Sequence, residues 1–126
     1  MDVIQISTEP AVGTAGNATA SALSPMLSGL VYKVVLRYQG APPATTNVKL
    51  SDLNDPANES IVNVTGNTDL VLYPRRAMTS NSGSNLTFNG TQIVPTPYPV
   101  HGNLKLSLSQ TNPGVTVTAT VVLLRG

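Results

Sequence analysis

Few residues of this chain are equipped for chemistry, and their spacing decides what they can do. His101, in Pro99-Val-His-Gly102, is the single histidine. A general base needs an orienting partner and a substrate proton within reach. No sequence neighbour supplies that partner, so only a carboxylate brought close by folding could do so. The local context predicts a turn histidine. A histidine-based zinc site needs ligands that this chain lacks. There are no cysteines, which excludes thiol nucleophiles, cysteine-based zinc sites and disulfides. No Gly-x-Ser-x-Gly elbow occurs. Six carboxylates leave a glycosidase pair arithmetically open, but 126 residues leave little room for a sugar cleft. The expectation is therefore no catalytic residue, no cofactor and no metal.

Asp52-Leu-Asn-Asp55-Pro-Ala-Asn-Glu59 gathers oxygen ligands as a calcium loop does. Its spacing misses the EF-hand pattern, and Asp-Pro with Asn is ordinary turn chemistry. Five Asn-x-Ser/Thr sequons, at Asn17, Asn58, Asn63, Asn85 and Asn89, are a modest excess over chance for this composition. Pro74-Arg75-Arg76 holds the one adjacent pair of like charges. At a strand end, two such arginines project to opposite faces, and either can bond a partner's carboxylate in bidentate fashion. The plainer account is a solvated edge that discourages strand pairing. Arg75 and Arg76, with Tyr73 and the strand cations Lys33 and Arg37, are the candidate protein-interface residues.

The elements that must position these residues read as strands. Leu30, Tyr32, Val34, Leu36 and Tyr38 alternate with Val31, Lys33, Val35 and Arg37, the period-two mark of a half-buried strand. Leu104, Leu106 and Leu108 alternate with Lys105, Ser107 and Ser109. Val115, Val117, Ala119, Val121 and Leu123 alternate with three threonines. Between the last two runs, Thr111-Asn-Pro-Gly114 is strong turn chemistry, which predicts a C-terminal hairpin. Shorter strands fit 17–23, 47–53, 61–64 and 69–73. Segments 86–88 and 92–94 flank Asn89-Gly90, a hairpin signal. Tyr98–Val100 lies among prolines, which suits a sheet edge or an extended linker. Thr79–Asn85 reads as a polar loop. Ten prolines and ten glycines leave few stretches long enough for a helix.

About eight short strands predict an all-β fold: an antiparallel β-sandwich, a jelly roll or a small β-barrel. The length suits a single β domain over residues 1–126, with 1–15 as an N-terminal arm or edge strand. The core must be aliphatic, since there is no Trp and one Phe. Charged residues make up 10% of the chain, against roughly 25% in an average globular protein. A surface of Ser, Thr, Asn and Gly desolvates more cheaply than a charged one, which suits docking to another protein. Net charge is +1, too little for a general nucleic-acid binder. Met1-Asp-Val-Ile-Gln-Ile-Ser-Thr lacks the basic and apolar stretches of a signal peptide. The longest apolar run, Val121–Leu124, is too short to span a membrane as a helix. Absence of cysteine favours assembly in a reducing cytoplasm.

Several pieces in order carry a resemblance. They are Gly16-Asn-Ala-Thr-Ala-Ser, a strand running into Gly40-Ala-Pro-Pro-Ala-Thr-Thr-Asn-Val48, Leu72-Tyr-Pro-Arg75, and Pro97-Tyr-Pro-Val-His-Gly-Asn-Leu-Lys-Leu106. Over roughly residues 13–124, the chain resembles small β-rich auxiliary head proteins of tailed bacteriophages, the capsid decoration or cement proteins. The Gly-x-Pro-Pro-Ala-Thr-Thr-x-Val and Tyr-Pro-Arg elements are moderately specific; the alternating strands are generic. The resemblance implies a jelly-roll or barrel fold and a non-enzymatic virion structural role. It further implies a homo-oligomer, dimer or trimer, made in the host cytoplasm and bound to the major capsid protein on the capsid surface. Met1–Pro10 or Thr79–Asn85 would then reach a neighbour. The rival expectation is a phage tail, fibre or surface module that binds carbohydrate, stacking sugars on Tyr32, Tyr38, Tyr73, Tyr98 or Phe88.

Overall fold

The computed structural model describes residues 2–57 and 59–124. The sequon residue Asn58 and the first residue of the N-terminal segment, Met1, lie outside them. The described residues form nine strands: β1 (Asp2–Ser7), β2 (Ala18–Gln39), β3 (Asn47–Asp52), β4 (Ser60–Thr65), β5 (Leu70–Leu72), β6 (Arg76–Ala77), β7 (Pro95–Thr96), β8 (Tyr98–Thr111) and β9 (Thr116–Leu124). Seven of them make an antiparallel sheet ordered β1-β9-β2-β8-β3-β4, with β5 also on β2; β6 and β7 form a separate ribbon. The sheet does not close into a barrel.

The 22 residues of β2 organise the molecule. Its first part, from Ala18 to Val31, pairs with β8, and its last part, from Leu30 to Gln39, pairs with β9. The sheet thereby folds over on itself as a β-sandwich. Leu104, Leu106 and Leu108 of β8 and Val48 and Leu50 of β3 face Val117, Ala119, Val121 and Leu123 of β9 in a single aliphatic core. Burying such side chains contributes roughly 1.5–3 kcal/mol each, which is what holds the two layers together.

This topology corrects two expectations. Segments 17–23 and 30–38 are one continuous strand. The joint between them contains Pro25, which opposes Leu104 in a bulge rather than ending the strand. The C-terminal runs are strands as expected, but not a hairpin: β8 pairs with β2 and β3, while β9 pairs with β1 and β2. The turn at Asn112–Val115 is an arch between layers, so the two apolar strips face each other instead of lying side by side. Of the two placements expected for Tyr98–Val100, the sheet edge holds: it starts β8 in register with Gly29–Val31, and among the described residues no strand pairs with its other side, so the missing N–H of Pro99 is tolerated.

The N-terminal segment supplies the edge strand β1 rather than a free arm, pairing from Asp2↔Leu123 to Ser7↔Thr118. At the other end of β8, Gln110 has φ 52°, the only positive φ at a non-glycine residue among those described. It sits in the bulge between the pairs Ala18↔Thr111 and Ala20↔Leu108. A Cβ in this region costs about 1 kcal/mol. Because Gln110 is exposed, Gln110→Gly is expected to raise the melting temperature, whereas the β-branched Gln110→Val lowers it. Thermal unfolding followed by circular dichroism checks both signs.

Candidate functional site

A second bulge in β2 builds the most distinctive surface. The register with β9 slips between Val31 and Lys33. Strict alternation would put Tyr32 on the same side as Val34 and Leu36. Instead Val31, Val34 and Leu36 are all buried and Tyr32 is exposed. The bulge lets two consecutive residues reach the same neighbour. The Tyr32 ring meets the Tyr73 ring edge-to-face, with centroids 5.7 Å apart and planes at 84°. The Lys33 Nζ lies 5.7 Å from the Tyr73 centroid. Arg75 closes the group from the other side, its guanidinium 5.4 Å from the Tyr32 centroid. It also donates from Nη1 to the carbonyls of Tyr32 (3.1 Å) and Pro74 (2.7 Å).

These are cation–π distances, and each contact contributes about 0.5–1 kcal/mol at an exposed site. Their larger effect is to hold two cations and two rings in one arrangement. Tyr73 remains 53% exposed. Beside it runs a cleft of about 190 Å³ between Ile61–Val64 of β4 and Leu72–Pro74.

The folded chain thus brings together Lys33, Tyr73 and Arg75, three of the five residues read from the sequence, and adds Tyr32. The signal for Tyr32 was its position: Tyr-Lys between two valines three apart, which breaks a period of two. Arg37 lies one strand turn further on, in register with Thr118, and takes no part in the ring cluster. Arg76 turns away and pairs with Glu59 at 2.7 Å. The two arginines do diverge, but toward two different sites on the chain.

The second gathering of chemistry is a pocket of about 50 Å³ holding Asp52, Asp55, Glu59, Arg76 and His101. His101 is a strand residue of β8, not a turn residue, opposite Ser28 of β2. Folding does bring it a carboxylate: its Nδ1 is 4.0 Å from Oδ2 of Asp52, which is beyond hydrogen-bond length. That carboxylate is buried and already occupied. Its Oδ1 accepts the Asn54 N–H at 2.9 Å and its Oδ2 the His101 N–H at 3.0 Å. Asp55 likewise accepts the N–H groups of Ala57 and Glu59. The Asp52–Glu59 segment is therefore a turn held by its own carboxylates. Among the described residues, no group of three His, Cys, Asp or Glu side chains is arranged to hold a metal.

A third feature stands out from the body. From the β6–β7 ribbon the chain makes an excursion in which residues 81–93 are all exposed. Three backbone bonds tie its strands in a ring: Met78 N–H to Val94, Leu86 N–H to Met78, and Val94 N–H to Leu86. The expected Asn89-Gly90 hairpin is reduced to a single bridge, Thr87↔Ile93, because Asn89 turns its side chain onto Thr91 and Gln92 instead. Its exposed apolar residues include Leu86, Phe88 and Ile93, and no charged residue lies between Ala77 and Tyr98.

Tyr38, one of the candidate sugar-stacking residues, points inward. Its hydroxyl is buried without a hydrogen-bonding side chain or backbone group. Burial first, and the Asp69 carboxylate second, raise its pKa above 10.0. A raised pKa in the folded state means that the native protein keeps the phenol proton where the unfolded chain loses it. That contribution is complete below about pH 10 and is lost as the pH rises through the folded value. Tyr38→Phe is expected to unfold less readily than wild type above pH 10, and to match or exceed it at pH 7. Urea midpoints measured from pH 7 to 11 test this.

Comparison with known proteins places the fold. No family model matches the chain, and no curated protein does either. Among solved structures, FlhE is similar over 98% of this chain and 97% of its own, with TM-score 0.51 and 18% identity. A CBM4 structure is similar over 95% of this chain and 93% of its own, with TM-score 0.45 and 11% identity. The likeness to FlhE is one of fold: an antiparallel β-sandwich running nearly the whole length of both chains.

Proposed function

We propose that this chain is a non-enzymatic virion protein that docks on the outside of a phage capsid and reinforces contacts between major capsid protein subunits. The observation that carries the docking part is the exposed cluster of Tyr32, Lys33, Tyr73 and Arg75. Tyrosine and arginine are enriched at interface hot spots, and here they are held in place before any partner arrives, so little side-chain entropy is lost on binding. The uncharged excursion with Leu86, Phe88 and Ile93 at its surface offers a second contact. The capsid as partner rests on the sequence resemblance. A dimer or trimer on a symmetric shell would add avidity without strong individual contacts.

Catalysis by the His101–Asp52 pair is disfavoured by the size of the pocket that holds it. At about 50 Å³ it is far smaller than the roughly 300 Å³ at which small-molecule sites begin. The carbohydrate reading is favoured by the exposure of Tyr32 and Tyr73. Against it, Tyr32 and Tyr73 meet edge-to-face and each carries a cation over one face, so the two rings do not form a shared flat platform; Phe88, 71% exposed, is the other aromatic open to a sugar.

Co-sedimentation of purified protein with capsids tests the proposal. Wild type is expected to saturate the particles, with Tyr73→Ala and Arg75→Ala each weakening binding by about 30-fold, as hot-spot truncations of about 2 kcal/mol do. Arg76→Ala, whose partner is within its own chain, should bind nearly as wild type. Undiminished occupancy by the Tyr73 and Arg75 variants would sink the proposal, as would a clean set of glycan-array hits without capsid binding.

A further inference from the structure

We infer that the cleft beside Tyr73 receives an extended, acidic segment of a partner protein, which adds to the free edge of β4 as one more strand. The inference rests on the docking reading and names the chemistry of what docks. Its starting point is the lining. Val62, Asn63 and Val64, past the bulge at Ile61, border the cleft in succession, whereas a strand face would contribute only alternate residues. The cleft therefore runs along the edge of β4, where backbone groups are presented. Among the described strands, β4 pairs with β3 and with no other.

Edge strands are ordinarily protected by charge, proline or brevity. Ser60-Ile-Val-Asn-Val-Thr65 has no charged residue and no proline, and beyond the bulge at Ile61 its four regular residues, Val62–Thr65, can align about 14 Å of an incoming chain. The opposite wall, Leu72-Tyr73-Pro74, supplies apolar surface. At about 190 Å³ the cleft suits one or two side chains of a strand better than a whole small molecule.

Charge selects the partner. Lys33 lies over the Tyr73 ring and Arg75 follows Pro74 in the chain, so both stand beside the cleft without lining it, and among the described residues no carboxylate lies within salt-bridge distance of either. Their contacts are to ring faces and carbonyls, which leave the positive charge uncompensated. Of the carboxylates bordering the neighbouring pocket, Glu59 is paired with Arg76. A strand with carboxylates spaced two apart would place them all toward one wall, within reach of both cations, and Arg75 can bond a carboxylate bidentately.

The test uses the full chain and a fluorescein-labelled ten-residue peptide of alternating Val and Glu. Its comparators are the same peptide with Lys for Glu and the acidic peptide with alternate backbone amides N-methylated. By fluorescence anisotropy at 50 mM salt, the acidic peptide should bind at least about tenfold more tightly than the basic one. N-methylation should abolish binding, and Arg75→Glu should weaken it by about tenfold while the fold persists, with the melting temperature lowered only by the few degrees that its lost contacts to Tyr32 and Pro74 account for. Amide shifts in NMR spectra should cluster at 60–65 and 72–74. Equal binding of the acidic and basic peptides, tolerance of N-methylation, or shifts elsewhere would each overturn the inference. So would light scattering showing that a second copy of this chain fills the cleft. If the peptide fails while capsid binding still depends on Tyr73, strand addition is wrong and the docking face stands. If the peptide binds while capsid binding ignores Tyr73, the cleft chemistry holds and the capsid reading falls.

Discussion

Leu106→Ala is expected to lower the free energy of unfolding by about 3 kcal/mol, within the 2–5 kcal/mol range for fully buried leucines. Leu106 lies at the centre of the molecule, opposite Ala22 of β2 on one side and Leu50 of β3 on the other. It is fully buried, and its side chain meets the facing layer of β9. Two sheets cannot close independently over a missing leucine, because each is held by its own ladder; the cavity therefore persists and its lining loses contacts outright. Leu23→Ala provides the control. Leu23 belongs to the same β2–β8 ladder, paired with Lys105, but is 62% exposed, so its truncation should change stability by no more than about 0.5 kcal/mol. Urea unfolding with unchanged m-value measures both. Equal losses would mean that the two layers are not packed as described.

Ser24→Ala is expected to be nearly as damaging, at about 2 kcal/mol, although it removes a single oxygen atom. Where Ser24 and Pro25 oppose Leu104, the β2–β8 ladder is interrupted. The Leu104 N–H is buried, and it donates to the Ser24 hydroxyl at 2.8 Å. Across the same break, Asn103 Nδ2 donates to the Ser24 carbonyl at 2.8 Å. Side chains thus replace the backbone partners that the bulge displaces. Removing the hydroxyl leaves a buried donor without an acceptor, a penalty of about 1–3 kcal/mol. Amide hydrogen exchange at Leu104 should accelerate in the variant. Asn103→Ala should couple with Ser24→Ala rather than add to it, since both act on one break. Strict additivity would show that the two bonds do not act as a unit.

The docking face and the fold were legible to different degrees. Alternation identified the apolar strips of β8 and β9, and Val48 and Leu50 of β3, correctly, because burial on one side of a sheet imposes a period of two whatever the topology; in β4 the bulge at Ile61 buries Ile61 and Val62 together. It failed between Leu30 and Tyr38, where the bulge after Val31 moves Tyr32 outward while keeping Val34 and Leu36 buried. That failure kept Tyr32, read only as a sugar-stacking candidate, out of the interface set. Lys33, Tyr73 and Arg75 were picked out by residue type, but nothing in their spacing says that Arg75 stacks on Tyr32, 43 residues away in sequence. Arg75 and Arg76 look equivalent in sequence. They differ because Glu59, brought close by the turn at Asp52–Glu59, captures only Arg76.

The C-terminal arch makes the same point about pairing. Thr111-Asn-Pro-Gly114 specifies that the chain reverses, since Gly114 takes φ 84°. A reversal joins strands within one sheet or across two, and the turn residues serve both. The choice fell to β2, whose length allows it to pair with β8 along one part and β9 along another. Residue order by itself determined an aliphatic, disulfide-free, all-β chain with a sparingly charged surface, because composition and period act locally. Which strips face each other, which bulges turn a side chain outward and which cation is left without a carboxylate were decided only by tertiary structure. Each of those depends on a neighbour distant in sequence, 17 residues for Glu59 and Arg76 and 43 for Tyr32 and Arg75.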